Sequence, residues 1–371
     1  MSLGSIFPST RKQVEQLEPY SPGKPIWEVQ REWGLERVVK LASNENPLGP
    51  SPKAVEAIMQ QLAELHRYPD SSGGELKRAI ALHYQLQEQQ VMIGNGADEL
   101  ITLLSEAYLE DGDEVLVPSP SFTEYAFGGK LMGAKIVEIP LDPRFNYNLD
   151  RMASAVTDRT KIIYLCSPHN PTGSYIPRSS LDSFIQKLPS HVILVLDGAY
   201  SHYATAGDYS NGLDWVRRNK SVVVLQTFSK IYGLAGLRIG FALSVEPIIA
   251  AMHRVKEPFN VNTLAQKAAV AALTDEEHVQ RSLAVNEEGR RYLYAAFEAK
   301  GLPYTPSMSN FILVEFGEIA YRVYQHLLKQ GIIVRYGGTW GLTGHLRVSV
   351  GSELENRLFV EALDKVLSQL G

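Results

Sequence analysis

The chain has 371 residues, 44% of them hydrophobic and 21% charged, a balance that supports one large buried core and a smaller one. A formal net charge of −5 at pH 7 leaves no bulk basic footprint for nucleic acid or an anionic membrane. The single cysteine excludes an internal disulfide, no apolar run approaches the ~20 residues of a membrane helix, and the first dozen residues lack a signal-peptide stretch, so a cytoplasmic protein is expected.

Residues 1–46 mix Pro, Gly and charge and read as an N-terminal arm with one short helix. Helical spacing of apolar residues comes next, at 53–65 and 75–86. The pattern then changes to short apolar runs: V-M-I at 91, E-V-L-V at 114, K-I-V-E-I at 135, K-I-I-Y-L-C at 161, V-I-L-V-L at 192 and V-V-V-L at 222. Helical segments, such as 98–109 and 181–188, lie between them. Near-continuous Val/Ile/Leu runs alternating with helices predict a mostly parallel α/β sheet covered on both faces. Cys166 ends one such run and reads as a small buried hydrophobe. From about Pro247 the chain turns helical as far as Lys300. The runs N-F-I-L-V-E-F, G-I-I-V-R-Y and H-L-R-V-S-V, with helices at 320–330 and 353–370, predict a smaller α+β domain. The expected organisation is an arm (1–46) joining the small domain, a large α/β domain (47–265) and a small C-terminal domain (266–371).

Open parallel sheets bind ligands beyond the carboxyl ends of their strands. The residues just past each run are therefore the candidates for a site. G-N-G-A-D-E comes after V-M-I, S-P-H-N-P-T-G after I-I-Y-L-C, D-G-A-Y after V-I-L-V-L, and Q-T-F-S-K after V-V-V-L. Each has a plainer reading as a turn, a helix cap or a solvated lysine. G-N-G-A-D-E lacks the third glycine of a dinucleotide fingerprint, since Glu99 stands there. Together the four segments carry chemistry that fits one ligand, pyridoxal 5′-phosphate. Lys230 supplies the amine for a Schiff base, and Asp197 pairs the ring nitrogen. Asn170 and Tyr200 are candidates to hydrogen-bond the phenolic oxygen, and Phe122 to stack on the ring. Gly96, Ala97 and Asp98 open a helix whose N–H groups suit a phosphate, with Thr227, Ser229 and Arg238 converging on it.

The motifs S-P-H-N-P-T-G, D-G-A-Y, S-K-I-Y-G-L-A-G-L-R-I-G and L-R-V-S-V-G resemble those of fold-type I pyridoxal-phosphate aminotransferases over nearly the whole chain. More narrowly, P-Y-S-P-G-K-P-I-W-E-V-Q-R-E-W-G-L, K-L-A-S-N-E-N-P-L-G-P-S-P, R-Y-P-D, G-N-G-A-D-E-L and P-F-N-V-N resemble the histidinol-phosphate aminotransferases. That resemblance implies reversible amino transfer between histidinol phosphate and 2-oxoglutarate, in histidine biosynthesis. It implies a homodimer with shared active sites, in which Tyr68 reaches the cofactor phosphate of the neighbouring subunit and Tyr20 touches substrate. It implies that Arg347 binds the substrate carboxylate. Arg335 would add a second charge suited to phosphate, and Asn46 would help finish the pocket. Two positions depart from the pattern: Gly198 stands where D-E-A-Y has Glu, and His169 where Asn is commoner. Aromatic amino-acid transamination and threonine-phosphate decarboxylation remain alternatives on the same scaffold, with a cofactor-binding regulator behind them. The scattered histidines match no metal motif.

Overall fold

The computed structural model describes residues 9–15, 17–18 and 23–370. Its strands in chain order begin with Val39–Lys40 (β1), Val91–Gly94 (β2), Glu114–Ser119 (β3), Lys135–Pro140 (β4) and Thr160–Cys166 (β5). Next come Ile193–Asp197 (β6), Val222–Thr227 (β7) and Gly240–Leu243 (β8). The C-terminal part adds Tyr304–Thr305 (β9), Phe311–Glu315 (β10), Ile332–Ile333 (β11), Arg335–Tyr336 (β12) and His345–Ser349 (β13).

Strands β2 to β8 form one sheet in the order β2-β8-β7-β6-β5-β3-β4. All neighbours are parallel except those of β8, which runs antiparallel to both β2 and β7. The six predicted runs are the six other strands. Strands β5, β6 and β7 are buried almost throughout, as both faces of the sheet are covered by helices. The predicted helices are present at Pro52–Gln61, Gly74–Tyr84, Ala97–Tyr108 and Arg178–Lys187. Elements outside the expected set include β8 and the helix Thr123–Met132.

A second sheet, β12-β13-β10-β9, is antiparallel and carries its own core of Phe297, Ile312, Val314, Leu346, Val348, Phe359 and Leu363. The arm's β1 pairs in parallel with β11, and Val39 and Leu41 enter this second core, so the arm packs with the C-terminal unit. The boundary expected at 265 falls inside the helix Thr263–Leu273. That helix buries Ala265, Ala268, Ala269 and Ala272 in the larger core against the sheet domain. The alanine face is what lets it lie close to Pro52–Gln61. Among the described residues no helix is long and apolar enough to cross a membrane.

Candidate active site

The carboxyl ends of β5, β6 and β7 open on a cavity of ≈ 780 Å³, bounded on the other side by β12, β13 and the arm. This is a volume typical of a site for a cofactor with its substrate. Most of the predicted side chains meet there.

Lys230 lies three residues past β7 and is half-buried. Its Nζ donates to the Ser43 carbonyl at 2.9 Å and lies 5.7 Å from the centre of the Tyr200 ring. Burial, and then the nearby Arg347 charge, push its pKa down from 10.5 to about 8. Asp197 is the last residue of β6 and is 6% exposed. Burial raises its pKa, while a hydrogen bond from the Tyr125 hydroxyl at 2.5 Å and another from the Ala199 N–H at 2.9 Å favour the carboxylate. Tyr125 comes from the additional helix Thr123–Met132, which begins just after Phe122. Phe122 lines the cavity and meets Tyr125 edge to face at 5.5 Å.

Asn170 and Tyr200 also line the cavity. The Oδ1 of Asn170 accepts from Arg347 Nη1, which leaves its amide N–H2 as the donor for a ligand oxygen. The Tyr200 hydroxyl accepts from Asn44 Nδ2 at 3.0 Å, so its own proton is available to donate. Asn44 is in turn fixed by Ser349: its N–H donates to the Ser349 Oγ at 2.9 Å, and its Oδ1 accepts from that hydroxyl at 2.8 Å.

At the far end, Ala97 and Asp98 open the helix Ala97–Tyr108 beside Thr227, Ser229 and Arg238. The first N–H groups of a helix have no intrahelical partner and attract an anion. Gly96 precedes them at φ +86°, and a Cβ there would lie 2.6 Å from Arg238 Nη2. Arg238 itself sits at φ +54°, with its guanidinium on Asp98 (3.0 Å) and the Ala235 carbonyl (3.2 Å). Glu99 has its own use: its carboxylate accepts from the Asn95 N–H at 2.5 Å and Asn260 Nδ2 at 2.6 Å, bracing the glycine turn from behind.

Arg347 in β13 is buried, donating to the Ala42 carbonyl at 2.7 Å as well as to Asn170. Arg335 in β12 is its Cα partner across the strand pair and lines the same cavity.

One expectation, for Asn46, is corrected, and that for Tyr68 concerns a neighbouring subunit. Asn46 does not line the cavity. Its amide is turned inward, donating to the Ile231 carbonyl (2.8 Å) and Ser282 Oγ (2.9 Å), with Oδ1 accepting from Leu48 N–H (3.0 Å), so it braces the loop and Asn44 is the residue that faces the site. Tyr68 is away from the cavity, 83% exposed and stacked on Phe259 at 4.8 Å. Tyr20 lies outside the described residues. The two departures from the family pattern both have local reasons. A Cβ at Gly198 would lie 2.6 Å from Gln226 Nε2, whose side chain fills that space and bonds Ser201. His169 is buried, with Nδ1 on Thr172 Oγ1 at 2.8 Å, and burial lowers its pKa to about 3, so the ring is neutral. Sequence reasoning did not single out Ser43, Asn44, Tyr125 or Trp340.

An amine, a buried carboxylate held by a tyrosine, helix N–H groups beside an arginine, and two further arginines around one cavity are the set expected of a pyridoxal-phosphate-dependent aminotransferase. The donor set fits that cofactor at each end: acid for the ring nitrogen, N–H2 and O–H donors for the phenolic oxygen, and helix N–H groups with Arg238 for the phosphate. The sequence profile of the family described as "Aminotransferase class I and II" matches residues 36–363, and the chain belongs to that family. It is 46% identical over 98% of its length to a histidinol-phosphate aminotransferase of Moorella thermoacetica, covering 94% of that protein. It is 44% identical over 97% of its length to the histidinol-phosphate aminotransferase of Symbiobacterium thermophilum, covering 99% of it. Among solved structures, the histidinol-phosphate aminotransferase of Sinorhizobium meliloti, in complex with pyridoxal-5′-phosphate, superposes with a TM-score of 0.91. It has 27% identity and covers 99% of this chain and 100% of that one.

Proposed function

We propose that the protein is a histidinol-phosphate aminotransferase, moving an amino group reversibly between L-histidinol phosphate and 2-oxoglutarate in the cytoplasm. One observation carries the substrate reading: Arg335 and Arg347 face each other across β12 and β13 and both line the cavity that holds Lys230. Glutamate presents a carboxylate where histidinol phosphate presents a phosphate ester, and a paired guanidinium site takes either in turn. The names of the relatives support the same reading.

When bound, pyridoxal phosphate supplies an aldehyde for the amino group and an electron sink for the charge left when the substrate Cα loses its proton. The protein's part is positional and acid–base. Asp197 keeps a proton on the ring nitrogen, and Tyr125 and Ala199 keep Asp197 ionised. Arg347 orients the substrate anion, so that the Cα–H bond faces Lys230. Lys230, whose pKa near 8 makes it a competent base at neutral pH, would take that proton from Cα and deliver it to the carbon that was the cofactor's aldehyde. The two substrates use one site in succession, so ping-pong kinetics are expected. Half-reactions of the holoenzyme, followed by the absorbance of the bound cofactor, test the substrate. Histidinol phosphate and glutamate should each convert the cofactor to its amino form within seconds, with phenylalanine and threonine phosphate slower by roughly two orders of magnitude, the discrimination that a site built for a specific polar group achieves or exceeds. Faster conversion by phenylalanine than by histidinol phosphate would overturn the assignment.

We also infer a homodimer in which Tyr68 completes the neighbouring subunit's phosphate site. Supporting this, Tyr68 and Phe259 form an exposed aromatic stack, and Met59, Leu62 and Leu65, shortly before Tyr68 in the chain, are exposed as well. The protein should sediment as a dimer, and Tyr68→Ala should weaken cofactor affinity by roughly tenfold, the loss of one charge-assisted hydrogen bond to phosphate. A monomeric, fully active enzyme would refute it.

A further inference from the structure

Arg335 and Arg347 are directly opposed on an antiparallel pair, where like charges repel. Trp340 is close to both. It ends the 3₁₀ turn Gly337–Trp340 that leads from β12 towards β13, and it lines the cavity with both arginines. Its ring centre is 4.9 Å from Arg347 Cζ and 5.9 Å from Arg335 Cζ. An indole face carries negative quadrupole charge and attracts a guanidinium at such distances. Arg347 is also held by the Ala42 carbonyl, by Asn170 and by the Phe311 ring at 5.1 Å, and it is buried. Arg335 is half-buried on the two-residue strand β12.

We propose that Trp340 is a positioning residue for substrate choice: it sets Arg335 against Arg347 so that both close on one phosphate group, and so favours phosphate-bearing over carboxylate-only amino donors. This rests on the histidinol-phosphate reading above. A carboxylate has one charge and two oxygens, and a single guanidinium satisfies it with two parallel hydrogen bonds. A phosphate monoester carries up to two charges and three terminal oxygens, and one guanidinium leaves it under-neutralised. Arg347 alone can satisfy the α-carboxylate of glutamate. The second guanidinium, and hence the residue that places it, matters for the phosphate.

The test is steady-state and half-reaction kinetics of the holoenzyme with histidinol phosphate, glutamate and histidinol, which lacks the phosphate. Trp340→Leu should raise KM for histidinol phosphate by roughly tenfold more than for glutamate or histidinol, the loss of one partly desolvated cation–π contact. Its effect on kcat should be smaller. Trp340→Phe should recover most of the lost preference, since it restores an aromatic face. Arg335→Lys keeps the charge but loses the flat group that stacks on the indole, so it should show the same selective loss even if the leucine variant does not fold. Equal losses for all three donors, or a loss that phenylalanine does not recover, would overturn the role of Trp340. A wild-type enzyme inactive on histidinol phosphate would instead overturn the substrate reading, and this inference with it.

Discussion

Lys230→Ala is expected to lower multiple turnover by at least roughly 10⁴-fold, because on the proposed reading one side chain supplies both the covalent attachment and the proton transfer. The protein should nevertheless retain cofactor through gel filtration. The proposed phosphate cradle of Ala97, Asp98, Thr227, Ser229 and Arg238, all of which line the cavity, owes nothing to the lysine. Steady-state activity above about one per cent of wild type would remove Lys230 from this role, since it exceeds what proton transfer by a substitute water allows. The surroundings of Lys230 add a pH signature. Desolvation of the half-buried amine, and then the nearby Arg347 charge, lower its pKa from 10.5 to about 8. A lowered pKa means the neutral form appears earlier as pH rises. At pH 7.5 roughly a quarter of the amines would be neutral, against roughly one in a thousand for an ordinary lysine. The rate at which cofactor-free protein takes up cofactor should therefore rise with pH and level off just above 8. A rise that continues to pH 10 would show that the burial and the Arg347 charge do not act on the amine as the structure implies.

Much of this site was legible because parallel α/β sheets gather chemistry at one edge. With six runs read as strands, the residues just past β5, β6 and β7 had to be neighbours. Three things resisted the same reasoning, each for a physical reason. Strand β8 is only Gly240–Leu243 and comes directly after the glycine loop, so its four residues look like the loop's return. The helix Thr123–Met132 contains Gly128 and Gly129, poor helix formers, and so does not read as a helix. Those glycines are there for packing: a Cβ at Gly128 would lie 2.6 Å from Ser105 Oγ, and one at Gly129 2.6 Å from Ile136 Cδ1. Missing the helix hid Tyr125, whose contact with Asp197 is long-range and leaves no local pattern. The choice between Asn44 and Asn46 was a third case. Both sit in A-S-N-E-N-P, and only the left-handed turn at Asn44 (φ +56°) decides which faces the cavity. Trp340 reads as one more aromatic until the strand register puts Arg335 opposite Arg347.

Asp197→Asn keeps the shape of the side chain and removes its charge, which makes it the sharpest test of the carboxylate. The residue ends β6, its backbone is fixed by pairing with Cys166 and Leu225 on the flanking strands, and the amide should fit without moving them. An amide gives the ring nitrogen no counter-charge, so the proton there is lost and the electron sink weakens. The expected result is a fall in kcat of roughly 10³-fold, in the range seen when a single preorganised electrostatic contact is removed. KM for glutamate should change little, because Arg347 still holds the carboxylate. Tyr125→Phe is the graded version. Burial alone raises the Asp197 pKa, and the Tyr125 hydrogen bond at 2.5 Å opposes that rise. Without the hydroxyl the pKa goes higher still, so the carboxylate takes up its proton earlier as pH falls. The acid limb of the kcat/KM profile with glutamate should thus move to higher pH in Tyr125→Phe, with kcat at the optimum reduced only about tenfold. An unmoved limb would mean that the group titrating on the acid side is not Asp197. In that case the hydroxyl contributes only packing beside Phe122 and Tyr164, with which its ring makes close contact at 5.5 Å and 4.6 Å.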